Sequence, residues 1–182
     1  MAFNELERLR GRFPTRMKSY NVAIGAHEDD LPIFFGEEAS PLASLSKEVN
    51  FIDYVGRSNV NSIMVPVRTL DGFADEIATY SQQIDLIKID TEGYEWEVLM
   101  GAMNLISDFR PKFIQIEFNA HHLFRKRTLL EIGEVLPGYI LLQLLPYGSG
   151  MVERNLLDPF SNFFAFSNFV FVREENLGDL TD

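Results

Sequence analysis

"LIKIDTEGYEWEVLMGA", residues 86–102, is the stretch on which the fold turns. Its first part alternates apolar positions with Lys88 and Asp90 and reads as a strand over 84–90. Its second part begins a helix expected over 92–107, with Trp96, Leu99, Met103 and Ile106 along one face. Charges are seldom buried without a partner, so Lys88, Asp90 and Glu92 at this junction need an account. Two stand open. In one they serve the fold, as an ion pair and as a helix cap from Asp90 or Thr91. In the other they serve chemistry.

Working outward, "PKFIQIEFN" (111–119) is the next strand, 126–136 the next helix, and "GYILLQLLP" (138–146) and "NFFAFSNFVFV" (162–172) two further strands, the last read as core. Upstream, a helix over 3–11 precedes strands "NVAIG" (21–25), "LPIFFGE" (31–37) and "SIMVPVRTL" (62–70), followed by a helix over 71–80. Pro66 predicts that its strand lies at an edge. "ASPLASLSKE" (39–48) is a loop and a candidate lid. This alternation predicts an α/β domain with a mostly parallel, doubly covered sheet. The short link before the final strand makes that strand antiparallel. No repeat or linker interrupts the 182 residues, so one domain is expected over 1–182.

The composition narrows the function. Hydrophobic residues are 46 % and charged residues 24 % of the chain, ordinary for a globular protein. A net charge of −11 argues against nucleic acid, whose phosphates call for a basic surface. The one basic run, "RLRGRFPTRMK" (8–18), reads as a solvated helix face. No apolar run approaches the ~18 residues of a membrane span, and the start has no apolar signal core. The absence of cysteine excludes disulfides and a thiol nucleophile and fits a reducing, cytoplasmic setting. A small molecule is the expected partner.

In open α/β sheets ligands bind beyond the carboxyl ends of the strands. There one strand brings Asp90 and Glu92, and the next brings Glu117 and Asn119. Phe113, Gln115, Glu117 and Asn119 share a face by alternation, so Lys88 is expected to reach Glu117. His121 and His122 follow at once, expected as a surface pair of which one is a base near neutral pH. Carboxylate and amide oxygens with a histidine suit a hard divalent cation, although the spacing matches no metal motif. Gly93 permits a close approach at the turn.

"VPVRTLDGFADE", "IDLIKIDTEGYEWEVLMGA" and "RPKFIQIEFNAHHLF" together resemble the FkbM family of S-adenosylmethionine-dependent methyltransferases. "LPGYILLQLLP" and "FAFSNFVFV" look like the end of that domain, and "KIDTEGYEWEVLMGA" is the most specific part. The resemblance implies a class I, Rossmann-like sheet, mostly parallel with an antiparallel C-terminal strand, and methylation of a hydroxyl oxygen on a sugar, lipid or natural-product scaffold. It implies S-adenosylmethionine near Ala23, Ile24 and Gly25, with Asp90 beside the cofactor's charged end and the acceptor. Glu117 and His121 are then further catalytic candidates, and Glu92, Asn119 and His122 substrate-binding ones. The family's opening strand and glycine loop have no counterpart in the chain. It is therefore expected to be truncated relative to the family, with an exposed edge on the strand at 84–90 that invites self-association. Two other readings stay open: an inactive remnant serving as an interaction module, and a metal-dependent enzyme of another class using Asp90, Glu117, Asn119 and His121.

Overall fold

The stretch 86–109 folds as a strand, a turn and two short helices, where the helical periodicity predicted one long helix over 92–107. The computed structural model describes residues 2–36, 42–53, 55 and 59–180. In chain order its main elements are α1 (Ala2–Arg12), β1 (Ala23–Ile24), β2 (Asp29–Phe35), β3 (Asn61–Arg68), α2 (Ala74–Ala78), β4 (Leu86–Ile89), α3 (Glu95–Met100) and α4 (Met103–Phe109). Then come β5 (Phe113–Phe118), α5 (Ala120–Arg125), α6 (Leu129–Glu134), β6 (Tyr139–Leu144), β7 (Met151–Glu153) and β8 (Ser167–Arg173). Sequence periodicity did not anticipate α5 and β7, which are too short to show a period.

The break between α3 and α4 has a steric and a polar cause. A Cβ on Gly101 would lie 2.0 Å from the Gly25 carbonyl oxygen, so only glycine lets the two segments meet. The Gly101 carbonyl accepts the Asp71 N–H at 2.9 Å. Asp71 in turn reaches across to cap α4, accepting the Leu105 N–H at 2.8 Å and the Asn104 side-chain amide at 2.9 Å.

The strands form two sheets, ordered β1-β3-β2 and β4-β5-β8-β6-β7. Only β1/β3 and β4/β5 pair in parallel; the four other pairings are antiparallel, so the sheets are mixed rather than mostly parallel. The final strand is antiparallel as expected, but it inserts between β5 and β6. Pro66 lies on the central strand of its sheet and not at an edge. It is tolerated there because β1 reaches only Val67 and Arg68, leaving β3 open on that side up to Pro66.

The core sits on one face of the five-stranded sheet. Ile114, Ile116 and Phe118 of β5 and Phe169 and Phe171 of β8 meet Val98, Leu99, Ile106 and Ile132 from the helices. The opposite face of β6 and β8, with Leu142, Val170 and Val172, is covered by Leu177 and Leu180. On β4 that opposite face is bare, Leu86 being 50 % exposed, and β4 has no neighbour on its outer edge among the described residues. Two of the five phenylalanines at 162–172 depart from the core reading: Phe163 and Phe166 lie outside on a loop, while Phe164 stacks on Phe118 with ring centroids 5.3 Å apart.

Candidate functional site

At the carboxyl end of β4 the chain turns through Asp90–Tyr94. Glu92 and Gly93 both take positive φ (54° and 95°), which carries the Glu92 side chain back toward β5. A Cβ on Gly93 would meet His121 Cβ at 2.9 Å, so the glycine allows α5 to close on the turn, as its sequence position suggested. Ser44 fixes the turn from outside by donating to the Glu92 carbonyl at 2.8 Å.

Asp90, Glu92 and Glu117 present carboxylate oxygens that all lie within 4.8 Å of one another. Asp90 is the exposed member and pairs with Lys88, Nζ to Oδ2 2.7 Å. Lys88 therefore turns to its own strand rather than to Glu117. Glu92 lies 2.9 Å from Nδ1 of His121. Glu117 is the buried member, and the Asn119 amide donates to its Oε1 at 2.8 Å. Burial pushes the Glu117 carboxyl up; the nearby charges of Glu92 and Asp90 add to the rise against the Asn119 hydrogen bond.

His121 and His122 are not a surface pair: they are 2 % and 1 % exposed. Asn119 caps α5, its Oδ1 accepting the His121 N–H at 2.8 Å, and its own N–H faces His122 Nδ1 at 3.3 Å. With its amide donating to Glu117 and its oxygen accepting from α5, the Asn119 side chain is engaged inside the fold. His122 is likewise enclosed, with Nε2 at 3.1 Å from Glu95 Oε2. Both candidate substrate-binding residues are thus enclosed behind the carboxylates, held by Glu117 and facing Glu95 respectively. The open reading in which Asp90 or Thr91 caps the helix is not the one seen: Glu95 reaches back and accepts from the Thr91 N–H at 2.8 Å and the Thr91 hydroxyl at 3.0 Å.

A cleft of about 530 Å³ opens beside Asp90. Ala23, Ile24, Ile33, Ile63, Met64 and Pro66 supply an apolar wall, and Asp90, Thr91 and Tyr94 a polar one. It joins Ala23, Ile24 and Asp90, which are far apart in sequence. Gly25 stays outside it, its N–H bonded to the Arg68 carbonyl at 2.9 Å and its own carbonyl packed under Gly101. Of the candidate lid at 39–48, residues 39–41 lie outside the described residues, and Ser44 and Leu45 form part of the cleft wall. A second cleft of about 430 Å³ adjoins through Tyr94 and is lined by Asp29, Trp96, Glu97 and Arg127. The guanidinium of Arg127 lies 4.6 Å above the Trp96 ring. Sequence reasoning assigned neither Tyr94 nor Glu95 to the site; their signal was proximity to Asp90 alone.

An apolar slot ending at a carboxylate can take a small ligand with an apolar body and a polar or cationic end. No helix among the described residues is long and apolar enough to cross a membrane. A family model described as Methyltransferase FkbM domain matches residues 3–147, from α1 to the turn after β6. No curated protein and no solved structure matches the chain significantly.

Proposed function

The chain belongs to the FkbM methyltransferase family, and on that premise we propose that it transfers the methyl group of S-adenosylmethionine to a hydroxyl oxygen of a sugar, lipid or natural-product acceptor. The observation that carries this reading is the cleft in which Ala23 and Ile24 face Asp90. There the apolar wall would hold the adenosyl part, as in a Rossmann-like class I enzyme, and Asp90 would hold the cationic end. When bound, S-adenosylmethionine supplies an electrophilic methyl whose bond to sulfur breaks, the electron pair staying on sulfur, as the acceptor oxygen attacks in line.

The chain's own residues have two tasks: to align the acceptor and to take its proton. Glu117 is the group for the proton, because its surroundings raise its proton affinity while Asn119 fixes its orientation. Glu92 and Asp90 flank the place where the acceptor hydroxyl sits. His121 holds Glu92 and serves as the reserve base.

Calorimetric titration of S-adenosylmethionine into the native chain and into Asp90→Asn tests the reading. We expect saturable binding to the native chain, weakened about tenfold in the variant, or ~1.4 kcal/mol. A native chain that takes up none would favour the interaction-module reading. Equal affinity in the two would remove Asp90 from the cofactor site.

A second reading adds a divalent cation between Asp90, Glu92 and Glu117, favoured by the convergence of their oxygens. It would lower the proton affinity of the acceptor hydroxyl. Melting in magnesium or manganese against a chelator checks it, since a cation bound here raises the melting temperature. Self-association through the bare edge of β4 belongs to the same proposal, and sedimentation at rising protein concentration decides it.

A further inference from the structure

Glu95 is among the most deeply buried groups of the molecule, at 0 % exposure, and the proposed chemistry makes no use of it. Burying a carboxylate is costly, and a well-packed apolar residue would hold a helix start more cheaply. Its contacts show what the charge does. Oε1 takes both donors of Thr91, at 2.8 and 3.0 Å. Oε2 faces Nε2 of His122 at 3.1 Å, and neither atom has another partner among the described residues. Because His122 Nδ1 receives the Asn119 N–H, the donor nitrogen of the ring is Nε2, the one that lies 3.1 Å from Glu95 Oε2. Burial pushes the Glu95 carboxyl up, yet the facing His122 ring and the bond from the Thr91 N–H outweigh it and leave it below its ordinary value.

The contacts run without a gap from Thr91, in the wall of the cleft, through Glu95, His122 and Asn119 to Glu117. They tie the turn after β4 to the start of α5, the two segments that bring the carboxylates together. We infer that Glu95 is a positioning residue for methyl transfer, clamping the Asp90–Gly93 turn against α5 so that Asp90, Glu92 and Glu117 stay in register. The inference rests on the proposed methyltransferase reading for the reaction it serves, but not for the clamp itself.

Elsewhere the chain carries an ordinary version of the same bond. Thr128 donates its N–H and hydroxyl to Glu131 at 2.8 and 3.0 Å, at the start of α6 and on a more exposed carboxylate. Glu131→Gln is therefore the control for Glu95→Gln. In the latter an amide takes over toward Thr91 but sets a second donor against His122.

Both variants and the native chain are to be compared by thermal melting, by S-adenosylmethionine calorimetry and by amide hydrogen exchange at Thr91 and Asn119. Both are expected to lower the melting temperature. Only Glu95→Gln is expected to weaken S-adenosylmethionine by about tenfold or more and to speed exchange at Thr91 and Asn119 together. Should Glu95→Gln bind like the native chain, or leave the two amides protected, the residue is structural and the inference falls. If the native chain binds no S-adenosylmethionine, the function reading fails on its own and the exchange measurement decides the clamp. If Glu95→Gln does not fold, Thr91→Val, which removes only the hydroxyl donor, is put through the same measurements: weaker binding with faster exchange supports the clamp, and native behaviour overturns it.

Discussion

The two sheets are built to different standards. In the five-stranded sheet Ile114, Ile116, Phe118 and Phe171 are wholly buried, and β6 and β8 are covered on one face by helices and on the other by the C-terminal turn. In the three-stranded sheet Val67 is the buried strand residue, while Ile63 and Met64 are 56 % and 63 % exposed on its central strand. The candidate site lies between them, taking its charges from the first and its apolar wall from the second. The arrangement pairs fixed chemistry with a wall that can yield to a ligand, since local opening is easiest where few apolar contacts are buried.

The hardest blow to this contrast is a matched pair of truncations. Phe118→Ala removes a ring that packs against His122, Phe164 and Phe169 and should cost about 3–5 kcal/mol in denaturant unfolding. Ile63→Ala should cost about 0.5 kcal/mol or less. Equal losses would mean that the thin sheet bears as much of the stability as the thick one. Gly101→Ala acts where the sheets are joined, by forcing a methyl against the Gly25 carbonyl. About 1–3 kcal/mol is expected, with amides of β1 to β3 losing exchange protection before those of β5 and β8. Uniform loss would show that the sheets open as one unit.

The smallest effect sharpens the picture of the thick sheet alone. Tyr139 donates to the Pro111 carbonyl at 2.6 Å, and burial pushes its hydroxyl up from 10.0 to about 12. Above pH 10 the unfolded chain releases a proton that the folded chain keeps, so stability falls from there to about pH 12. Tyr139→Phe should lose about 1 kcal/mol at neutral pH and lack that part of the alkaline decline. An identical decline in the variant would assign it to other groups.

Much of this was legible in local pattern. Alternation in "FIQIEF" correctly divided Ile114, Ile116 and Phe118 from Gln115 and Glu117, because the two faces of β5 meet different surroundings. Asp90, Glu92 and Glu117 were found because strand ends in α/β sheets converge. What the sequence withheld was partnership at a distance. Nothing near Glu95 announces His122, and nothing near Asp71 announces that it caps α4. Strand order was hidden for the same reason: β8 follows β7 in the chain, yet the pattern of "SNFVFVR" cannot say that it pairs with β5. The short link suggested an antiparallel neighbour for the strand at 138–146, which β8 is, but not that β8 would also pair with β5 on its other side.

The insertion of β8 also governs when the molecule can take shape during its synthesis. β5 and β6 have no hydrogen bonds to one another, and β8 supplies the ladder to both. On the ribosome, the chain made through β6 holds half-sheets with nothing between them until Arg173 has emerged. The unpaired side of β5 is exposed throughout that interval and open to pairing with neighbouring nascent chains. Assembly of the core thus waits on a strand far along the chain from its β5 partner, a pairing of high contact order and therefore slow to form.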